Sequence, residues 1–171
     1  MVRKNDTKDD GLGHRMMVRS VMGGARVVQI RMNQPCTETV GGKTCHFRSK
    51  MEYRYARYLE LLKTSGHIVD WNYERTKFVF PTEMTGAKQF LIDFDVLTIQ
   101  GEIVHHEVKG YLDSRDITKL RRVAKHYPNA RIHLAMGNIP RQAGKGSNRL
   151  RMAAKYTERV FSIADATRGL L

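Results

Sequence analysis

The chain has 171 residues, with 30 Lys and Arg against 17 Asp and Glu, a formal net charge of +13. That length supports one domain with a real core plus flanking arms, and is too short to need two. So large an excess of positive charge points to a polyanionic partner, nucleic acid above all, since a compact chain this basic otherwise repels itself. No stretch approaches the roughly 20 consecutive apolar residues of a membrane span, and the N-terminus lacks the apolar centre of a signal peptide, so a cytoplasmic protein with no membrane contact is expected. Cys36 and Cys45 are too few for a disulfide scaffold, and four zinc ligands at recognisable spacing are missing around Cys45 and His46, so free thiols are expected.

Residues 1–45 mix charges, glycines and methionines without sustained periodicity, apart from one strand-like run at Ala25 to Met32, and read as a basic N-terminal arm. Ser49 then precedes a helical pattern that places Met51, Tyr55, Tyr58, Leu59 and Leu62 on one face, with Gly66 as its stop. Trp71 to Phe80 reads as one or two strands ending at Pro81, followed by a turn-rich connection from Glu83 to Lys88. Phe90 to Ile99 and Glu102 to Lys109 are apolar, β-branched runs separated by Gln100 and Gly101, the spacing of a two-residue antiparallel hairpin. Ser114 to Tyr127 predicts a second helix, with Ile117, Leu120, Val123, Ala124 and Tyr127 on one face and Pro128 at its end. Ala130 to Met136 alternates as a strand that can return beside the hairpin, with the second helix as its crossover. Residues 140–171 read as a second basic arm with a helix, in which Lys145, Arg149, Arg151 and Lys155 are candidate phosphate contacts. Between the arms, residues 46–139 form the expected core.

Glu107 and Lys109 lie two apart on the second hairpin strand, so both side chains point to one face, and His105 shares it. Asp93 and Asp95 share a face of the partner strand and can converge on Glu107 across the turn. Magnesium takes only one or two protein carboxylates and leaves its other positions to water and phosphate, so Asp93 and Glu107 suffice to hold it. Lys109 adds a positive charge able to position an attacking water or to stabilise charge developing on a phosphodiester. An isolated Glu-x-Lys is more often an ordinary cross-strand ion pair, but here the strands around it are otherwise strongly apolar. Glu52 has a separate explanation: Ser49-Lys50-Met51-Glu52 is a capping box.

The pattern Phe47-Arg48-Ser49 with Glu52 on the first helix, then Asp93-Phe94, then Glu107-Val108-Lys109-Gly110, resembles the PD-(D/E)XK nuclease superfamily. Within it the chain is most similar to the bacteriophage endonuclease I family of Holliday-junction resolvases and related small phage nucleases, over roughly Phe47 to Met136. The resemblance implies an α/β fold with a restriction-endonuclease-like core, a central mixed sheet flanked by helices. It implies that Asp93, Glu107 and Glu52 bind Mg²⁺ or Mn²⁺, that Lys109 acts on the water or the leaving charge, and that Arg48 and Ser49 lie close to the site against DNA. It also implies a homodimer that cuts branched DNA in pairs, with elements exchanged between subunits across residues 66–90. Ile92 stands where many members carry proline, the interval from Asp93 to Glu107 is longer than in compact members, and Asp95 is an additional acid that leaves the ligand choice between Asp93 and Asp95 open. The function expected is therefore a Mg²⁺-dependent endodeoxyribonuclease. The alternatives are a general DNA nickase or end-processing nuclease, and a non-catalytic nucleic-acid-binding protein.

Overall fold

The computed structural model describes residues 33–83, 85–140 and 144–168. The expected strand-like run at Ala25 to Met32 lies outside them. Nine strands and four helices follow in the order β1 (Cys36–Val40), β2 (Lys43–Phe47), α1 (Lys50–Thr64), β3 (Ile68–Tyr73), β4 (Lys77–Val79), β5 (Gln89–Leu91), β6 (Phe94–Thr98), β7 (Ile103–Lys109), α2 (Ser114–His126), β8 (Ile132–Met136), α3 (Lys145–Ala154), β9 (Arg159–Ser162) and α4 (Ile163–Arg168) among the described residues. Five strands make a central sheet in the order β3-β6-β7-β8-β9. Its first three strands are antiparallel and its last three parallel, so the sheet is mixed. Parallel neighbours need a crossover, and α2 and α3 supply the two that link β7 to β8 and β8 to β9.

The period-2 alternation of β8 sorts the core into two layers. Ile132, Leu134 and Met136 face Ile117, Leu120 and Val123 of α2 and Ala153 of α3. Ala135 faces the other way, into a cluster with Tyr55, Ala56 and Leu59 of α1 and with Trp71, Phe94 and Val108 from the sheet. Helices therefore flank the sheet on both faces. Helix α1 starts where expected: Ser49 is extended, and its hydroxyl accepts from the Glu52 N–H at 3.2 Å. It stops where expected too, with Gly66 at φ +75°.

Three elements differ from the sequence expectation. Phe90 to Ile99 is not one strand: β5 pairs with β4 in a separate two-stranded sheet, β6 joins the central sheet, and the chain changes partners at Ile92 and Asp93. The β6–β7 turn is one residue longer than the expected two-residue loop, because Gly101 adopts φ +82° and donates its N–H to the Thr98 carbonyl, forming a bulged three-residue connection. Both flanking segments contain sheet structure. Cys36–Val40 and Lys43–Phe47 form a hairpin around Gly41 and Gly42, both at positive φ, and Val40 and Phe47 enter the α1 core. At the other end, β9 adds a parallel strand to the central sheet.

Candidate active site

The site lies where α1 begins, at the C-terminal ends of the parallel strands β7 and β8, the end of an open sheet at which α/β proteins place ligands. Two glycines allow the helix to approach. A Cβ at Gly137 would stand 2.7 Å from Met51 Cε, and one at Gly110 would stand 3.3 Å from it. Met51, at the start of α1, therefore rests over the strand ends and carries Glu52 in with it.

Glu52 is buried and does more than cap its helix. Its Oε1 accepts from Ser49 Oγ at 2.8 Å, while its Oε2 accepts from the Arg48 N–H at 3.0 Å and from the Tyr73 hydroxyl at 2.6 Å. The capping box is displaced by one residue, since the backbone donor reaching the carboxylate is that of Arg48. Tyr73 closes the arrangement from β3, and burial, followed by its bond to Glu52, holds its phenol above the usual range.

Asp93 sits at the point where the chain passes from one sheet to the other, with 2 % of its side chain exposed. Its Oδ2 accepts from the Val108 N–H at 2.8 Å, and its Oδ1 is 2.6 Å from Arg48 Nη2. Arg48 also reaches Glu74 with Nε, at 2.6 Å. Glu107 lies beside Asp93 on β7 and is buried; its Oε1 is 2.8 Å from Lys109 Nζ, and its Oε2 has no hydrogen-bond partner among the described residues. Lys109 is steadied on its other side by Asp116, at 3.5 Å, whose second oxygen accepts the Asp113 N–H in the capping box of α2.

Burial and then the neighbouring Glu107 charge raise the Asp93 carboxyl well above the usual carboxylate range, and burial raises Glu107 as well. Burial works against the Lys109 ammonium, but Glu107, Asp93 and Asp116 outweigh it and keep the lysine firmly charged. The result is two adjacent buried carboxylates, each held by one cation, and two carboxylate oxygens of the site, Glu107 Oε2 and Glu74 Oε1, that accept no hydrogen bond among the described residues. A buried acceptor in that state is costly unless a cation or water completes it.

A cavity of about 330 Å³ opens in front, lined among others by Arg48, Ser49, Glu52, Lys109, Tyr111 and Asp116. Asp93 and Glu107 are not on its wall but are bonded to residues that are. A second cavity, of about 200 Å³, lies on the α1 face around Tyr55, His106, His133 and Arg159, and no carboxylate lines it. Among the described residues no group of three or more His, Cys, Asp or Glu side chains stands in metal-ligating geometry. The donor set of Asp93 and Glu107 still suits a hard divalent cation, which needs only one or two carboxylates, and the unpartnered Glu107 oxygen is where such an ion fits.

Of the residues singled out from sequence, Glu52, Asp93, Glu107 and Lys109 come together, with Arg48 and Ser49 between them. Asp95 is committed elsewhere: its Oδ1 is 2.7 Å from His105 Nδ1 and its Oδ2 accepts from Thr76 at 2.6 Å. His105 also stacks edge-on against Phe78, which gives that histidine a structural role. Lys145, Arg151 and Lys155 are exposed on or just after α3, whereas Arg149 is half-buried and donates to the Leu112 carbonyl at 3.2 Å, tying α3 to the segment before α2. Tyr73, Glu74 and Asp116 belong to the site and carry no local motif that would announce them. Tyr73 reads from sequence only as a packing residue. Cys36 and Cys45 are free thiols in the hairpin. No described helix is long and apolar enough to cross a membrane. No protein-family model, curated protein sequence or solved structure matches this chain.

Proposed function

We propose that this protein is a Mg²⁺- or Mn²⁺-dependent endodeoxyribonuclease with a PD-(D/E)XK-type core, hydrolysing phosphodiesters in branched DNA of the Holliday-junction kind. The observation that carries the reading is the buried pair Asp93 and Glu107, with an unpartnered Glu107 oxygen and Lys109 bonded to the other oxygen of the same carboxylate. A buried carboxylate oxygen without a partner beside a second buried acid is costly to the fold unless a cation or water completes it. The net charge of +13 supplies the attraction for a polyanion.

In this reading Asp93 and Glu107 hold the cation and Glu52 completes its surroundings. The chemistry the ion supplies when bound is Lewis-acid polarisation of the scissile phosphate. Lys109 Nζ, fixed by Glu107 and Asp116, directs a charged donor at the water that attacks or at the oxygen on which charge develops. Ser49 and Tyr73 keep Glu52 in one orientation. Exposed Lys145, Arg151 and Lys155 on the α3 side contact phosphates further along the DNA.

The test is cleavage of labelled four-way junction, linear duplex and single-stranded DNA by the purified chain with Mg²⁺ or Mn²⁺. Preferential cutting of the junction is expected. Equal cutting of duplex and junction would make the protein a general nickase or end-processing nuclease, and DNA binding without cleavage would make it a non-catalytic nucleic-acid-binding protein.

A further inference from the structure

Arg48 reaches three of the acidic groups of the site, Glu52, Asp93 and Glu74. Its backbone N–H donates to Glu52, its Nη2 is 2.6 Å from Asp93 Oδ1, and its Nε is 2.6 Å from Glu74 Oε1. Both Asp93 oxygens are engaged, Oδ2 by the buried Val108 N–H and Oδ1 by Arg48. Oδ1 is the one whose present partner is an exposed side chain, so it is the oxygen at which a cation and Arg48 come into competition. The two partners are unequal in freedom: the Arg48 side chain is 53 % exposed and the Asp93 side chain 2 %. Arg48 is the one able to leave. Glu74, 25 % exposed, gives its guanidinium a second seat, and the cavity in front gives it open space into which a phosphate can come.

We propose that Arg48 and the divalent cation compete for Asp93 Oδ1, and that a DNA phosphate relieves the competition by drawing the guanidinium away, so that DNA binding and metal loading promote each other. This rests on the nuclease reading above and assigns Arg48 the coupling between substrate and metal. A guanidinium makes bidentate bonds to phosphate as readily as to carboxylate, so the exchange replaces one charged partner with another. Until that exchange occurs, the metal-competent state is only a fraction of the population, and its apparent affinity falls by that fraction. Linkage requires the reverse effect, tighter DNA binding in the presence of metal, to be equally large.

The experiment is Mn²⁺ titration followed by electron paramagnetic resonance of the free ion, on wild type, Arg48→Ala and Arg48→Gln, first without DNA. Thermal melting confirms that each variant is folded, and the glutamine variant keeps much of the side-chain length without the charge. Both variants are expected to bind Mn²⁺ about tenfold more tightly than wild type. The titration is then repeated with a short duplex, using Glu107→Ala with the same duplex to correct for Mn²⁺ held by the phosphates. Duplex should tighten Mn²⁺ binding to wild type and leave the Arg48 variants nearly unchanged. If wild type binds Mn²⁺ and the Arg48 variants bind it equally or more weakly, competition at Asp93 is wrong and the nuclease reading stands. If neither wild type nor variants bind Mn²⁺ at millimolar concentration, with or without duplex, the metal site itself is wrong and both readings fall.

Discussion

Lys109 is held between two carboxylates, Glu107 at 2.8 Å and Asp116 at 3.5 Å, so its ammonium keeps one position at the edge of the cavity. Lys109→Ala should lower turnover by at least about a hundredfold while leaving Mn²⁺ affinity within a few-fold of wild type, because its charge serves the transition state more than the ground state. A Lys109→Ala protein cutting at the wild-type rate would remove the lysine from the mechanism. The raised Asp93 and Glu107 carboxyls also bear on stability. A carboxyl whose pKa is higher folded than unfolded contributes stability that is full below its unfolded pKa and is lost as pH rises through its folded pKa. Metal-free protein therefore loses this contribution as pH climbs from about 4 toward neutrality. Asp93→Asn removes one of the two raised carboxyls together with the Arg48 ion pair, so without metal its stability relative to wild type should rise as pH climbs above about 4. Denaturant melts at about pH 4 and at neutral pH check it, and a stability difference that is the same at both pH values would contradict it. Much of this site is legible in local spacing. Glu107 and Lys109 are separated by one residue of a strand and so share a face, and Glu52 follows the helix start that Ser49 marks. Asp93 comes opposite Glu107 only in the observed register, which pairs Phe94 with His106; the expected two-residue loop would have set it opposite Val108. The partnerships are not legible in that way. Arg48 to Asp93, Tyr73 to Glu52 and Lys109 to Asp116 are contacts made by chain folding, and no local spacing encodes them.

At the scale of elements, long periodic segments are the readable ones. α1, α2, the β6–β7 pairing and the parallel return of β8 all follow from hydrophobic period and turn residues. The single run Phe90 to Ile99 conceals a change of sheet, because both halves are equally apolar and only pairing partners distinguish them. The β1–β2 hairpin has a signal in Gly41-Gly42, but its strands alternate polar residues with few apolar ones, so periodicity is weak. Strand β9 is four residues long and half-buried at a sheet edge, and opens with Arg159, which reads as part of a basic tail. This changes what a C-terminal truncation would do. A basic arm could be removed with loss of DNA affinity alone, but Ala153 is fully buried, Leu150, Tyr156 and Val160 pack on the α2 core, and β9 pairs with β8. Truncation after Pro140 should therefore abolish cooperative unfolding in a thermal melt, and a truncated chain melting like wild type would contradict that packing. Phosphate binding is better tested by Lys145→Ala, Arg151→Ala and Lys155→Ala in the intact chain. Each substitution that removes a true phosphate partner should reduce the logarithmic salt slope of duplex binding by about 0.9. An unchanged slope in the triple variant would move the DNA surface elsewhere.

For the whole molecule, the +13 charge is plain from composition, whereas the way copies associate is not a property of one chain's sequence. If the chain cuts four-way junctions in pairs, as proposed above, it needs two equivalent sites, which a homodimer supplies. In this structure one chain carries its own Glu52, Arg48 and Asp93 in contact, and an exchanged dimer would make the same contacts between chains. Glu52→Ala and Glu107→Ala chains, unfolded together and refolded, separate the two cases. With each site closed within its own chain, a verified heterodimer carries one defect per site and stays inactive. Recovered nicking would instead show that α1 and the sheet are exchanged between subunits, since one site would then be free of both defects. The most direct measurement of the central claim is single-turnover cleavage of one labelled junction by wild type, Asp93→Ala and Glu107→Ala with saturating Mg²⁺, alongside their DNA affinities. The nuclease reading predicts cutting by wild type and rates lower by orders of magnitude in both variants, with DNA affinity retained. Undiminished cutting by either variant, or none by wild type with Mg²⁺ or Mn²⁺, would contradict it.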